Sequence, residues 1–228
     1  MKYIIIGLGN FGSSLAEKLV ILGHEVIGVD KEISKIEDLK DRLTYAICID
    51  CKHQSAIDKL PIKNSDFVII CIGEDEGANL MISALVKKSG AKRIISRSTS
   101  KIQATILEAM GINEIVEPED EAAEKWARRL SVSGIIDSFE LSDRYSVTKV
   151  IIDSKFHGKT IGEIGFNKNY NILVLTIMRK KREEGIFSFL NQSNLYDISG
   201  VASSETVLNQ GDIMVIYGHN NDINKLLS

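Results

Sequence analysis

The sequence predicts an α/β fold in which a doubly wound parallel sheet is followed by a smaller α+β domain. Short β-branched apolar runs alternate with amphipathic stretches from Lys2 to Val116, a rhythm typical of parallel strands buried on both faces by helices. Three glycines interrupt the chain between the first apolar run and the first amphipathic stretch. After Pro118 the rhythm changes, so a second domain is expected.

Six apolar runs are predicted as strands of the first sheet: KYIII, EVIGV, YAICI, DFVIIC, KRIIS and NEIV. Right-handed crossovers make 3-2-1-4-5-6 the expected strand order of a Rossmann-like sheet. Glycines follow the first, fourth and fifth helical stretches, where left-handed C-terminal caps are expected: Gly23, Gly90 and Gly111. The first two helices should bury one apolar stripe each: Phe11, Leu15, Leu19 and Leu22, then Ile33, Ile36, Leu39 and Leu43.

The charge pattern after Pro118 predicts a helix from Glu119 to Val132, acidic in its first turn and basic in its last. Beyond it, strands are predicted at YSVTKVIID, NILVLTIM, GIFSFL and GDIMVIYG, a turn-helix at GKTIGEIGF and a last helix at NNDINKLL. Asn191 to Gln210 is expected to be a polar excursion between two strands. The predicted domains are residues 1–139 and 140–228.

Composition excludes several classes of protein. The 228 residues are 44% hydrophobic and 26% charged, which is the balance of a globular chain. A formal net charge of -3 gives no overall attraction to nucleic acid, and none is predicted as a partner. The start MKYIIIGLGN lacks a signal-peptide pattern, and no apolar run reaches the roughly 20 residues of a membrane span. A cytoplasmic protein is expected.

Gly7, Gly9 and Gly12 match G-x-G-x-x-G between a strand and a helix, the arrangement of a phosphate-binding loop. Gly7 should permit the tight turn, Gly9 the close approach of a pyrophosphate, and Gly12 the packing of helix on strand. The N–H groups at the start of the helix would then face the phosphates.

Asp30 lies at the end of the second strand, 18 residues beyond Gly12, where a carboxylate accepts hydrogen bonds from an adenosine ribose. Its charge should repel a 2′-phosphate, which favours NAD or an adenosine phosphate over NADP. Asp50, after the third strand, either meets the adenine edge or caps a helix that starts near His53. Gly73 and Glu74 follow the fourth strand near the topological switch point and should border the ligand. Alternatively, Glu74 and Asp75 form only a charge pair at a helix N-terminus.

Neighbours of these motifs complete the predicted nucleotide-binding set: Asn10, Phe11, Lys31, Cys51 and Arg97. The cysteines Cys48, Cys51 and Cys71 are too few for a disulfide framework. The C-x-x-C of Cys48 and Cys51 is interpreted as structural rather than as half of a zinc site.

The whole chain resembles the RCK (regulator of potassium conductance) family, the Trk/Ktr-type cytoplasmic regulatory subunits of bacterial potassium uptake systems. The resemblance rests on GLGNFGSSLAEKL, on Asp30 and Asp50, on DFVIICIGEDEGANLMISALVKKSGAKRIISRS, on GINEIVEPEDEAAEKWARRL, and on FHGKTIGEIG and NQGDIMVIYG. It implies a nucleotide-binding domain that dimerises through a crossover helix and forms an octameric ring under a membrane-embedded potassium transporter. ATP, ADP or NAD(H) would change the shape of the ring and gate ion flow.

On the same resemblance, the helix from Glu119 to Val132 is the crossover, with Trp126 and Leu130 packed on a neighbouring subunit; the alternative is an ordinary helix that covers the sheet. Some relatives also bind cyclic di-AMP at the C-terminal domain. Glu119 matches a glutamate that helps hold a divalent cation, and it is the predicted metal ligand. Two departures are visible: Asn10 stands where many relatives have an arginine for the terminal phosphate of ATP, and Ile49 to His53 reads IDCKH instead of GDATD.

A small NAD-dependent oxidoreductase is the alternative function. Tyr145 and Lys149 form a Y-x-x-x-K, but that chemistry needs both residues on one helix face, whereas YSVTKVIID predicts a strand. None of the four histidines belongs to a recognisable base–nucleophile arrangement. The protein is therefore expected not to be an enzyme.

Overall fold

The structure is a computed structural model that describes residues 1–180 and 196–228. The chain forms two compact units, Met1–Glu121 and Ala122–Ser228. The domain limits predicted from the sequence, 1–139 and 140–228, stay a prediction. The predicted strand GIFSFL lies outside the described residues. Of the described helices, none is both long and apolar enough to cross a bilayer.

The first unit contains a six-stranded parallel sheet of order β3-β2-β1-β4-β5-β6, so the predicted strand order is confirmed. Its strands are β1 Lys2–Ile6, β2 Glu25–Asp30, β3 Tyr45–Cys48, β4 Phe67–Ile70, β5 Ile94–Arg97 and β6 Glu114–Val116. Its helices are α1 Asn10–Ile21, α2 Ile33–Leu39, α3 Gln54–Ile57, α4 Glu76–Lys88 and α5 Lys101–Ala109, with a 3-10 turn at Ile62–Asn64. The helix α6, Pro118–Ser131, begins in this unit and ends in the second.

Alternate residues of β1 belong to two different apolar clusters, because successive side chains of a strand point to opposite faces. Ile4 and Ile6 pack with Ile57 and Ile82 on one face, while Tyr3 and Ile5 are part of a second cluster that contains residues of α1 and α2. The sheet is therefore covered on both faces, as the continuous apolar strands predict.

The predicted helix caps are observed, but two residues of the predicted apolar stripes are exposed. Gly23, Gly90 and Gly111 have positive φ of +83°, +78° and +71°, so the predicted left-handed caps are confirmed. Leu22 and Ile33, however, are 70% and 59% exposed. Leu22 is the C-cap residue of α1 and Ile33 is the first residue of α2. At these helix ends the apolar stripe extends beyond the residues that are buried.

The second unit is built on a five-stranded antiparallel sheet of order β10-β9-β11-β8-β7. Its strands are β7 Ile135–Ser142, β8 Tyr145–Ile151, β9 Ile172–Lys180, β10 Tyr196–Ile198 and β11 Ile213–His219. Short helices α7 Ile161–Ile164, α8 Phe166–Tyr170 and α9 Asn220–Leu227 accompany them, with a 3-10 turn at Ser154–Phe156. Phe156, Phe166, Ile177 and Ile216 are among the residues of its core.

Two strands of this sheet were not predicted from the sequence: β7, and β10, which lies within the polar excursion expected from Asn191 to Gln210. Both are edge strands of the described sheet. None of their residues is fully buried. Strand β10 has only three residues, fewer than the roughly 4–8 by which a strand is recognised. Strand β7 alternates at residues 138–142, but its apolar residues Phe139 and Leu141 are exposed.

Candidate functional site

The glycine loop joins β1 to α1, and its three glycines meet different surroundings. Gly7 has φ +97°, and a Cβ there would lie 2.9 Å from Ile72 Cγ1. A Cβ on Gly12 would lie 2.0 Å from the carbonyl oxygen of Gly7, so this position holds the helix against the loop. A Cβ on Gly9 would meet no atom within 4 Å. The first and third glycines thus serve the local backbone, whereas the second borders open space.

Helix α1 presents its N-terminus to that space. Gly9 is the N-cap residue and provides no side-chain cap, and the first N–H groups of a helix have no partner within the helix. Together with the positive end of the helix dipole, these groups can bind an anion. Asn10, the first residue of the helix, adds an uncharged amide at this point.

Asp30, at the end of β2, is 7% exposed and is tied to the backbone on both sides. Its Oδ2 accepts a hydrogen bond from the N–H of Leu8 at 2.7 Å, and its Oδ1 accepts one from the N–H of Glu32 at 2.9 Å. Lys35 Nζ lies 3.8 Å from Oδ2. The carboxylate therefore holds the glycine loop in place and keeps a lone pair on each oxygen for a ligand hydroxyl.

The turn after β3 places Asp50, Cys51 and Lys52 together. Asp50 Oδ1 accepts a hydrogen bond from the N–H of Lys52 at 3.0 Å, and His53, not Asp50, is the N-cap residue of α3. The helix-capping alternative for Asp50 is therefore wrong. This carboxylate instead stabilises the turn.

The cysteines divide by burial. Cys51 and Cys71 are each 3% exposed. The interpretation of the C-x-x-C cysteines as buried residues is therefore confirmed for Cys51. It is wrong for Cys48, which is exposed because β3 is an edge strand of the described sheet. Burial, with smaller contributions from Asp50 and Asp30, raises the pKa of the Cys51 thiol to about 12. A thiol that stays protonated at neutral pH is a weak nucleophile.

The loop after β4 carries Gly73, Glu74 and Asp75. Asp75 is the N-cap of α4, where its Oδ1 accepts the N–H of Ala78 at 2.8 Å. Asp75 therefore has the helix N-terminal role given in the alternative. Glu74 is exposed and borders the cavity described below. The guanidinium of Arg97 lies over Gly73, since a Cβ there would be 2.6 Å from Arg97 Cζ.

Arg97 also forms an ion pair with Glu119 in the first turn of α6. The pair connects the end of β5 to the start of that helix, and both residues border the same space. No group of three or more His, Cys, Asp or Glu within residues 1–180 and 196–228 is arranged to hold a metal ion.

Asn79, a fully buried residue of α4, was not among the residues predicted for the site. Its Nδ2 donates to the carbonyl oxygens of Ile72 and Arg97 at 2.9 and 3.0 Å, and Ser96 Oγ donates to its Oδ1 at 2.9 Å. This buried network fixes the ends of β4 and β5 relative to each other. Only the polar residue type inside an apolar helical stripe hints at it in the sequence.

These elements enclose a cavity of about 450 Å³. The structure brings to it eleven residues of the predicted nucleotide-binding set and the predicted metal ligand: Gly7, Gly9, Asn10, Phe11, Asp30, Lys31, Asp50, Cys51, Gly73, Glu74, Arg97 and Glu119. Gly12 lies behind the loop as a packing residue. Lys35, Lys52 and Asp75 also line the cavity and were not predicted as ligand-binding residues. That these residues bind nucleotide stays a prediction.

Acidic side chains outnumber basic ones in the lining. The basic residues of the lining are Lys31, Lys35, Lys52 and Arg97. The acidic residues are Asp30, Glu32, Asp50, Glu74, Asp75 and Glu119. The lining therefore has no surplus of positive charge, and Asn10 at the start of α1 adds none.

The Y-x-x-x-K pair of the oxidoreductase alternative lies in the second unit. Tyr145 and Lys149 are both in strand β8, where Tyr145 stacks on Tyr217 with ring centroids 5.9 Å apart and Lys149 pairs with Asp137. The helix face that this chemistry requires is therefore not formed at these residues.

Residues 3–118 match the family model of the TrkA-N domain. The Ktr system potassium uptake protein A of Bacillus subtilis is 27% identical over 98% of this chain and 94% of its own length. The crystal structure of the GsuK RCK domain superposes with a TM-score of 0.65 at 15% identity, over 100% of this chain and 47% of the other. The GsuK channel bound to NAD gives a TM-score of 0.62 at 17% identity, over 99% and 38%.

The chain thus spans about half or less of these two structures, and at such identities they show the fold alone. The family match and the Bacillus relative confirm the resemblance drawn from the motifs. The chain belongs to the TrkA-N domain family.

Proposed function

We propose that this protein is a nucleotide-sensing regulatory subunit of a potassium uptake system. The main support for this function is that one cavity brings together the glycine loop, Asp30 and Asp50. It occurs in a chain that resembles a potassium uptake protein along nearly its whole length. The cavity would bind an adenine nucleotide, with the phosphates at the N-terminus of α1 and the ribose at Asp30.

Among adenine nucleotides, NAD(H) and ADP are the favoured ligands over ATP. The acidic surplus of the lining and the uncharged Asn10 give a triphosphate no special advantage. A structural neighbour with the same fold is a channel bound to NAD, which supports a dinucleotide here. Glu119, the predicted cation ligand, forms an ion pair with Arg97, so a divalent cation at this carboxylate would have to displace the guanidinium.

The cavity is proposed to sense its ligand rather than to transform it. His24 contacts Tyr3, His53 and His219 are N-cap residues, and His157 lies near the carbonyl of Ile152. None of the four lines the cavity. The cavity therefore lacks histidine, the side chain that most often acts as a general base, which supports a sensing role.

Nucleotide binding is proposed to act on the transporter by changing the shape of an oligomer of this chain. Helix α6 has no buried residue, and Trp126 and Leu130 are 55% and 78% exposed. An apolar stripe of this kind is explained by a second copy of the chain, and such dimers would assemble further into an octameric ring at the cytoplasmic face of a membrane-embedded potassium transporter. A nucleotide then shifts the shape of the ring only by its difference in affinity for two shapes. Typical coupling amounts to about 1–3 kcal/mol.

Native mass spectrometry of the full chain tests assembly and ligand together. We expect a multimer, dimer at least, with an adenine nucleotide retained or taken up when NAD, ADP, ATP or cyclic di-AMP is added. Leu130→Glu should reduce the multimer, whereas the control Asp120→Asn on the first turn should not. A monomer that takes up no adenine nucleotide would contradict the proposal.

Linkage provides the test of regulation. A transporter that prefers one ring shape must alter the affinity of the ring for nucleotide. By linkage, nucleotide must alter the affinity of the ring for the transporter by the same factor. Affinity for NAD and ADP is therefore measured with and without the reconstituted transporter. Identical affinities would remove the regulatory role, and steady consumption of NADH with a broad substrate panel would favour the oxidoreductase.

A further inference from the structure

Lys52 and Asp75 form an ion pair between the two loops on either side of the cavity. Lys52 Nζ lies 2.9 Å from Asp75 Oδ2, and both residues line the cavity. Lys52 follows β3 and Asp75 follows β4, while β2 and β1 lie between those strands in the sheet. At about 4.8 Å per strand, the ends of β3 and β4 are roughly 14 Å apart. The two loops therefore converge over the strands that carry the glycine loop and Asp30.

Each partner is held in place by its own loop. The N–H of Lys52 is bound by Asp50 Oδ1 at 3.0 Å. Asp75 uses Oδ1 for the N–H of Ala78 and leaves Oδ2 for Lys52. The hydrogen bond between the two side chains raises the pKa of Lys52 and, with the Ala78 N–H, lowers the pKa of Asp75. Both groups are thus charged throughout the neutral range.

A nucleotide with its phosphates at Gly9 and its ribose at Asp30 would lie on the ends of β1 and β2, between the two loops that this ion pair joins. We propose that the Lys52–Asp75 pair is a clasp over the bound nucleotide, and that its opening governs how long a nucleotide stays bound. The inference rests on the proposed function, because it concerns the same cavity. Since both side chains are partly exposed, 36% and 49%, salt should weaken the clasp.

Dissociation rates of NAD and ADP, measured by surface plasmon resonance on the immobilised full chain, test the clasp. Lys52→Gln and Asp75→Asn each remove one charge, and Asn keeps the N-cap of α4. We expect either variant to raise the dissociation rate about 2- to 10-fold, and the double variant to show no more than the larger single effect, because both changes break one contact. High salt should accelerate dissociation from the wild type more than from the variants. Lys40→Gln, which breaks the Lys40–Glu37 pair outside the cavity, is the matched control and should change nothing.

Asp75→Asn separates the clasp from simple electrostatic attraction. If Lys52 and Asp75 acted only as separate charges on the phosphates, removal of the acid would slow dissociation, whereas loss of a clasp accelerates it. An unchanged or slower rate in Asp75→Asn, or effects that multiply in the double variant, would overturn the clasp while leaving nucleotide binding intact. A wild type that binds neither NAD nor ADP would overturn the proposed function and the clasp with it. Unchanged thermal transitions show that each variant is folded.

Discussion

The Asp30 carboxylate accepts a hydrogen bond from the N–H of Leu8 at 2.7 Å, across 22 residues of sequence. This bond fixes the end of β2 to the glycine loop. The acid that the sequence marks as a ribose ligand is thus also part of the framework of the loop. Ligand binding and local stability should therefore change together when this residue is altered.

Asp30→Ala should weaken the binding of ADP and NAD by about 1.5–3 kcal/mol, the range for a hydrogen bond to a charged group. It should also lower the free energy of unfolding by about 1–3 kcal/mol, because the buried N–H of Leu8 loses its partner. Calorimetry and urea unfolding measure the two effects. Asp41→Ala, an exposed carboxylate outside the cavity, is the control. Unchanged nucleotide affinity in Asp30→Ala would show that the ribose assignment is wrong.

Gly9 and Gly12 should respond in opposite ways to a side chain. Gly9 has φ -70° and open space beside it, so Gly9→Val should fold normally and lose nucleotide binding, because the valine occupies the place of the phosphates. In Gly12→Ala the new Cβ meets the Gly7 oxygen, and overpacking of this kind costs about 1–3 kcal/mol or more. Thermal unfolding with ADP titration distinguishes them. Loss of the thermal transition in Gly9→Val would contradict the assignment.

The buried thiols should make the protein sensitive to alkaline pH. Burial raises the pKa of Cys51 to about 12 and, despite Arg97, that of Cys71 to about 12, whereas an unfolded thiol titrates near 9. Between pH 9 and 12 the unfolded chain loses protons that the native chain keeps. The free energy of unfolding should therefore be unaffected by these thiols below pH 9 and fall as pH rises above it, by up to about 1.4 kcal/mol per pH unit and thiol.

Urea unfolding from pH 8 to 11 measures this slope. Cys51→Ala should make it shallower, and Cys48→Ala, at the exposed cysteine, should leave it unchanged. A thiol reagent should label Cys48 in the native protein and all three cysteines after denaturation. Rapid native labelling of Cys51 would show that burial does not protect it.

Glu119→Gln should raise affinity for ADP and NAD several-fold. The substitution removes a negative charge from the cavity lining and releases Arg97 from its ion pair, so the guanidinium can meet a phosphate. Asp120→Asn, one residue further along α6 and not in the lining, should have no such effect. Titrations are made with and without magnesium. A loss of magnesium-dependent affinity in Glu119→Gln would instead identify Glu119 as a cation ligand.

The strongly periodic parts of the fold were predictable. The six strands of the first unit and their order follow from apolar runs and the right-handed crossover rule, and β8, β9, β11 and α9 follow from alternation and charge. The edge strands β7 and β10 were not predicted. Strand β10 has only three residues, too few to show a period. Strand β7 alternates only at residues 138–142, and it exposes the apolar residues of that stretch, Phe139 and Leu141.

At the cavity, the local chemistry was predictable from the sequence: Gly7 follows β1, Gly9 begins α1 and Asp30 ends β2, the neighbour of β1 in the sheet. Local spacing carries this information because each role depends on one strand, one turn and one helix. Contacts between residues far apart in sequence were not predictable and are seen only in the folded chain: Asn79 with the carbonyls of Ile72 and Arg97, and Lys52 with Asp75. Such contacts depend on how closely loops from different strands approach each other at the edge of the sheet. The spacing of residues along the chain does not determine that separation.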